Sequence, residues 1–337
     1  MAENQRSKRF QVPRHLRRIL SVGVLIFVAE YLVIPQFSSA QKSLHLLKEV
    51  NPILLVLAVM AEVLAIASYS EMTRTVFTPH APRRFDTYRV NLSTLALSHV
   101  VPGGTAPASA LSYRLFSELG VPPATNGFGL AAQGSSSAVV LNIIFWLALV
   151  ISIPLRGFNP LYGFAALASV FLMLAFFGTI ILITRGQRHA DTWLRAIARR
   201  IPRLNPDRVS DLLARVAERI TILTENPKTL WSTIGWASAN WLLDAASLWI
   251  FIFAFGSAIS PIDVLVAFGL ANILAVVPIT PAGLGIIETA LIPTIVGFGV
   301  PHNPAILAVL SYRFVNFWLP IPVGGLAYLS LGWRKRN

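Results

Sequence analysis

The chain has 337 residues, 55% of them hydrophobic and only 13% charged, with a mean hydropathy of +0.63, too apolar for an ordinary soluble domain. With no cysteine, disulfides, thiolate chemistry and cysteine-ligated metals are excluded, and the six histidines are scattered without metal-ligand spacing. The net charge of +13 follows the pattern of membrane topology rather than that of a nucleic-acid-binding patch.

Six runs of about 20 mainly apolar residues are long enough to span a bilayer as helices. They cover roughly 19–36, 50–72, 122–153, 160–184, 228–256 and 304–331. Backbone groups in lipid must be satisfied internally, which leaves helices or a closed barrel, and nothing alternates as barrel strands do. The predicted fold is an all-α polytopic membrane bundle, read as a single membrane domain over residues 1–337.

In chain order, a basic start (Arg6, Lys8, Arg9, Arg14, Arg17, Arg18) precedes the first run. It also suits a signal peptide cleaved after Ala40, in "FSSAQ", but a first span fits the charge alternation with nothing removed. Glu30 and Glu62 lie inside the first two spans, where an ionisable group is costly and points to function or to a buried pair. Further basic clusters fill 74–89, 185–228 and 334–336, and these regions with the N-terminus hold 23 of the 28 Lys and Arg. The positive-inside bias places all four in the cytoplasm, both termini included, in a cell or inner membrane.

That topology closes only if residues 91–121 and 261–303 each begin and end on one side. Both are apolar and broken midway: "TLALSHVVPGGTAPASALSYRLFSELGVP" and "LANILAVVPITPAGLGIIETALIPTIVGFGVP". Each carries "VVP", a Gly/Pro/Thr break, a second helical run and a closing "GVP". Proline cannot donate a backbone hydrogen bond and glycine weakens a helix, so Pro102, Gly103 and Gly104, and Pro278 and Pro281, are the expected hairpin breaks. The expectation is two re-entrant hairpins forming an inverted repeat, the first entering from the cytoplasm and the second from outside. Two Pro-kinked spans per segment, ten crossings in all, is the alternative.

At each break the predicted half-helix starts at a threonine, Thr105 and Thr280, and its free N–H groups and positive dipole end suit an anion. Arg114 and Glu288 follow at similar distances and are expected to line one cavity, with Arg313 as another partner for Glu288. A fixed ion pair locking the hairpins accounts for the same charges. Trp236, Asn240, Asp244 and Ser247 form one polar stripe on the fifth run. Asn126, Gln133 and Ser137 do so on the third, where the small residues suit close helix packing. His99 reads first as a packing histidine and second as a titrating group. The cytoplasmic stretch 185–227 is amphipathic, for headgroups or for docking on the bundle.

The segment "VPITPAGLGIIE" (277–288) resembles the Pro-x-Thr-Pro-Gly-Gly-Leu-Gly-x-x-Glu signature of the flippase-like membrane region of lysylphosphatidylglycerol synthases, with Ala282 in place of the first glycine. "VVPGGTAPASALSYR" (100–114) is similar to that family's first Pro-Gly break followed by Arg, but has no acid between Ala108 and Ser112. The resemblance covers nearly the whole chain, and implies movement of a phospholipid or lipid-linked anion between leaflets. In that reading Arg114, Glu288, Arg313, Asp244, Asn240, Thr105, Thr280, Gly283, Gly285 and Gln133 are the candidate substrate-binding residues. The expected partner is a membrane lipid with an anionic or zwitterionic headgroup, with no cofactor, metal, nucleic acid or catalytic role. The alternative is a scaffold that recruits a cytoplasmic or envelope protein through its basic loop. An intramembrane enzyme lacks a nucleophile with a base at helical spacing.

Overall fold

The computed structural model describes residues 51–101, 103–156, 227–275 and 281–333, with helical positions also at Leu167, Val170 and Leu174. The expected first span, most of 160–184, the amphipathic stretch up to residue 226, and Glu30, Pro102, Pro278 and Thr280 lie outside the described residues. Every regular element among the described residues is helical: α1 (Pro52–Phe77), α2 (Arg84–Val100), α3 (Thr105–Glu118), α4 (Pro123–Arg156), α5 (Pro227–Ala254), α6 (Pro261–Leu274), α7 (Ile286–Gly297), α8 (His302–Arg313) and α9 (Pro320–Trp333). A single 3-10 turn, Pro281–Gly283, precedes α7, and a π turn, Phe314–Trp318, joins α8 to α9.

Local chemistry sets where these helices start. Asn51 and Ser260 accept from the backbone N–H groups of Ile53 (3.0 Å) and Ile262 (3.3 Å), and each is followed by a proline at the first helical position. Four helical stretches are long and apolar enough to cross a membrane: Pro52–Phe77, Pro123–Ser152, Pro227–Ala254 and His302–Leu331. They coincide with the second, third, fifth and sixth expected spans, so the chain is a multi-pass membrane protein. Their outer faces carry Val56, Leu57, Leu147, Val150, Leu326 and Leu329, all exposed, as lipid-facing surfaces require.

The two interrupted segments are shorter. At 1.5 Å per residue α2 is about 25 Å long, α3 and α6 about 21 Å and α7 about 18 Å, all below the ~30 Å hydrocarbon thickness. Each segment folds on itself, α2 packing on α3 and α6 on α7. Contacts between the halves of the chain are reciprocal. α1 packs along α5; α2, from the first interrupted segment, packs on α9, and α6, from the second, packs on α4. The 3-10 turn of the second break also touches α2.

Glycine permits two of these approaches. A side chain at Gly324 would collide with the Leu92 carbonyl where α9 crosses α2, and one at Gly269 would meet Phe145 where α6 crosses α4.

Candidate functional site

Ionisable side chains converge where α1, α5, α7 and the α8–α9 helix meet. Arg313, the last residue of α8, is buried and donates from Nε to Glu288 Oε1 at 2.6 Å. The other oxygen of Glu288 accepts from the backbone N–H of Gly285, also at 2.6 Å. Both oxygens of this carboxylate are therefore engaged, one by the guanidinium and one by the last residue of the break. A carboxylate in the first turn also favours the positive end of α7.

The break has its own geometry. Ala282, Gly283 and Gly285 all have positive φ, at 42°, 68° and 85°, and α7 begins only at Ile286, with Gly285 as its N-cap. Thr280 and Pro281 are therefore not the cap and first residue of that helix, as expected. Left-handed residues cannot continue a right-handed helix, so the start moves past them. At the first break the helix does begin at Thr105, but with Gly104 as its N-cap, so that the threonine is the first helical residue and not the cap, and it is exposed.

On the other side of Arg313 the π turn presents Asn316. Leu319 N–H donates to Phe314 O at 2.9 Å, five residues back, and the next residue is Pro320. A proline there has no N–H for the Asn316 carbonyl and would clash with it in an α-helix, so the wider turn accommodates it. Asn316 Oδ1 accepts from Arg313 Nη1 at 3.4 Å, while its Nδ2 donates to Glu62 Oε1 at 2.9 Å and Asp244 Oδ1 at 3.2 Å. Tyr312 Oη donates to the same Asp244 oxygen at 2.8 Å.

Glu62 and Asp244 thus share the amide of Asn316, and both are buried. Among the described residues, two polar atoms of this cluster have no partner: Glu62 Oε2 and Arg313 Nη2. Glu62 stands about 15 Å along α1 from its start and about 22 Å from its end, and Asp244 about 26 Å and 15 Å along α5, so both lie deep within spanning helices.

The guanidinium lies 4.8 Å over the Phe317 ring, which also stacks on His99 at 4.6 Å. His99 Nδ1 is 2.9 Å from Phe317 O; a carbonyl only accepts, so that nitrogen carries the hydrogen. His99 therefore packs as a bonded buried histidine.

Of the expected site residues, the cluster brings together Glu288, Arg313, Asp244 and Gly285, with Gly283 buried beside Ala275 in the break. Asn240 sits one turn from Asp244, half-buried. Arg114 does not face Glu288: its side chain is 68% exposed and pairs with Glu118 at 3.0 Å, one turn along α3. The i,i+4 spacing made that nearer partner available. Gln133 belongs to a separate seam, donating to Thr73 Oγ1 at 2.6 Å, which also accepts from Asn91 at 2.9 Å. Ser137 takes a packing role, its carbonyl and hydroxyl accepting from Trp241 Nε1. Asn316 and Tyr312 went unnoticed in the sequence, although Pro320 following an apolar helical run was a visible cause for an irregular turn.

Comparison with known proteins adds the family context. The family model described as Lysylphosphatidylglycerol synthase TM region matches residues 14–324. A UPF0104 membrane protein of Methanothermobacter thermautotrophicus (strain Delta H) is 22% identical over 329 residues, 93% of this chain and 95% of that protein. A shorter match to a protein of the same description and organism is 31% identical over 87 residues, 26% of each chain. Inner membrane protein YbhN of Escherichia coli K12 is 27% identical over 95 residues, 28% of this chain and 29% of that one. In these two shorter matches the chain spans little more than a quarter of the relative's length.

Proposed function

The chain belongs to the lysylphosphatidylglycerol synthase TM region family, and from that premise we propose that it moves a phospholipid, or another lipid-linked anion, between the leaflets of the membrane. The observation that carries this reading is Arg313. Its guanidinium is buried deep in a spanning helix, holds Glu288 with Nε and Asn316 with Nη1, and among the described residues keeps Nη2 without a partner. A guanidinium donor left open inside the membrane is what recognition of a phosphate requires. Glu288 ties that donor to the break before α7, whose N-terminal N–H groups add positive potential.

In this reading the headgroup enters at Arg313 between the two hairpins while the acyl chains stay in lipid. The hairpins form an inverted, re-entrant pair, which the reciprocal packing of α2 on α9 and α6 on α4 supports, as does the sub-bilayer length of all four arms. The sequence has no GxxxxGK phosphate loop, so an ion or lipid gradient supplies the energy.

The test is leaflet exchange of a fluorescent phosphatidylglycerol in proteoliposomes. Arg313→Gln, inserted and folded, is expected to abolish exchange. Exchange at the unaltered rate would remove Arg313 from the pathway, and a scaffold role would then be the better reading.

A further inference from the structure

We propose that Glu62 and Asp244 form a single-proton site, with the proton on Glu62 Oε2 donated to Asp244, and that its release and uptake drive the lipid movement. The proton site stands on geometry alone; its coupling to transport rests on the translocation reading.

The one guanidinium of the cluster, Arg313, is matched by Glu288 at 2.6 Å. Among the described residues no salt bridge reaches Glu62 or Asp244. Their donors are one amide and one phenol: Asn316 Nδ2 gives one hydrogen to each carboxylate, and Tyr312 gives its own to Asp244. Both amide hydrogens are then used. Among the described residues Glu62 Oε2 remains, buried, with no donor, in a carboxyl group that shares the Asn316 amide with Asp244.

Two ionised carboxylates on one amide, deep in a membrane and with the nearest guanidinium already paired to Glu288, repel each other and lack solvation. A hydrogen on Oε2 resolves both problems, because it supplies the missing donor and removes one charge.

Among the described residues the surroundings supply no competing cation: on α5 itself Lys228 lies in the first turn, about 24 Å along the helix from Asp244. α7 contributes Glu288; α8 contributes Tyr312 and Arg313 and, at its far end, His302. α2 contributes His99, behind Phe317, and at its far end Arg84, Asp86, Tyr88 and Arg89. α6 has only Asp263, in its first turn, and α4 only Arg156, its last residue. The other ionisable groups of α1, Tyr69, Glu71 and Arg74, lie two turns or more from Glu62 toward the helix end.

The pair joins α1 to α5, and Asn316 links it to Arg313. An anionic headgroup drawing Arg313 away from Asn316 loosens the amide that holds the two carboxylates. Loss of the proton to water leaves two negative charges that push α1 from α5. Occupancy of Arg313 and protonation of the pair are thereby linked.

The experiment uses the full chain. Infrared spectra of the detergent-purified protein at neutral pH are expected to contain one protonated-carboxyl stretching band, shifted in D2O and missing in Glu62→Gln, whose amide mimics the protonated acid. Absence of the band in the wild-type protein overturns the proposal whether or not any variant folds. Persistence of the band in both Glu62→Gln and Asp244→Asn also overturns it, placing the proton elsewhere.

For coupling, exchange of fluorescent phosphatidylglycerol is followed under an imposed pH gradient and, separately, a sodium gradient. Acceleration by the pH gradient alone, lost in Glu62→Gln, is expected. Acceleration by sodium alone, or a pH response retained in the variant, overturns the coupling. A band that behaves as expected in a protein that exchanges no lipid sinks the translocation reading and leaves the proton site standing.

Discussion

Glu288 has no free oxygen: Arg313 holds one and the Gly285 N–H the other, so the residue works as a clasp between the second break and α8. Removing one partner of such a buried pair strands the other, at a cost of about 3–5 kcal/mol. Arg313→Gln is therefore expected to lower the thermal unfolding midpoint in detergent well below that of a double variant, Arg313→Gln with Glu288→Gln, in which no charge is stranded. Ala282 gives a prediction of opposite sign. It holds a left-handed φ of 42° at the position where the family signature has glycine, so Ala282→Gly is expected to stabilise the protein by about 1 kcal/mol, read from the same transition. The ionisable members of the site were legible, because carboxylates and arginines inside apolar runs stand out in a sequence. Their pairing was not: Asn316 meets a residue 254 positions away, and Arg114 found Glu118 one turn along its own helix rather than Glu288.

Among the elements, the spans themselves were readable from length and hydropathy, and the described ones fall where expected. The starts of the broken helices were less so, since Thr-Pro suggests a cap whereas three positive-φ residues push the true start to Ile286. The π turn was hidden as well, its cause being a proline two residues beyond it. Close helix contact yields a paired prediction on α9. Gly324 leaves no room over the Leu92 carbonyl, and backbone cannot move aside, so Gly324→Leu should destabilise by about 3 kcal/mol. The neighbouring Gly325 has open space, and Gly325→Ala should stay within about 1 kcal/mol of the parent, tending to stabilise. Equal shifts in melting midpoint for the two would show that α2 and α9 do not cross there.

For the whole molecule, the proposed inverted arrangement predicts sides. The absence of cysteine makes single-cysteine labelling clean. His80→Cys and Ala124→Cys, flanking the first interrupted segment, are expected to react with an impermeant maleimide from the cytoplasmic face only. Ala258→Cys and Asn303→Cys, flanking the second, should react from the opposite face only; labelling of all four from one face would rule out the inversion. The crossed packing of the halves has a further consequence. Since α2 rests on α9 and α6 on α4, each half of the chain supplies the cradle for the other's hairpin. A gene cut between the codons for residues 157 and 226 should then give two fragments that are degraded when made singly and recovered together when co-expressed, a complementation that a string of independently stable units would not need.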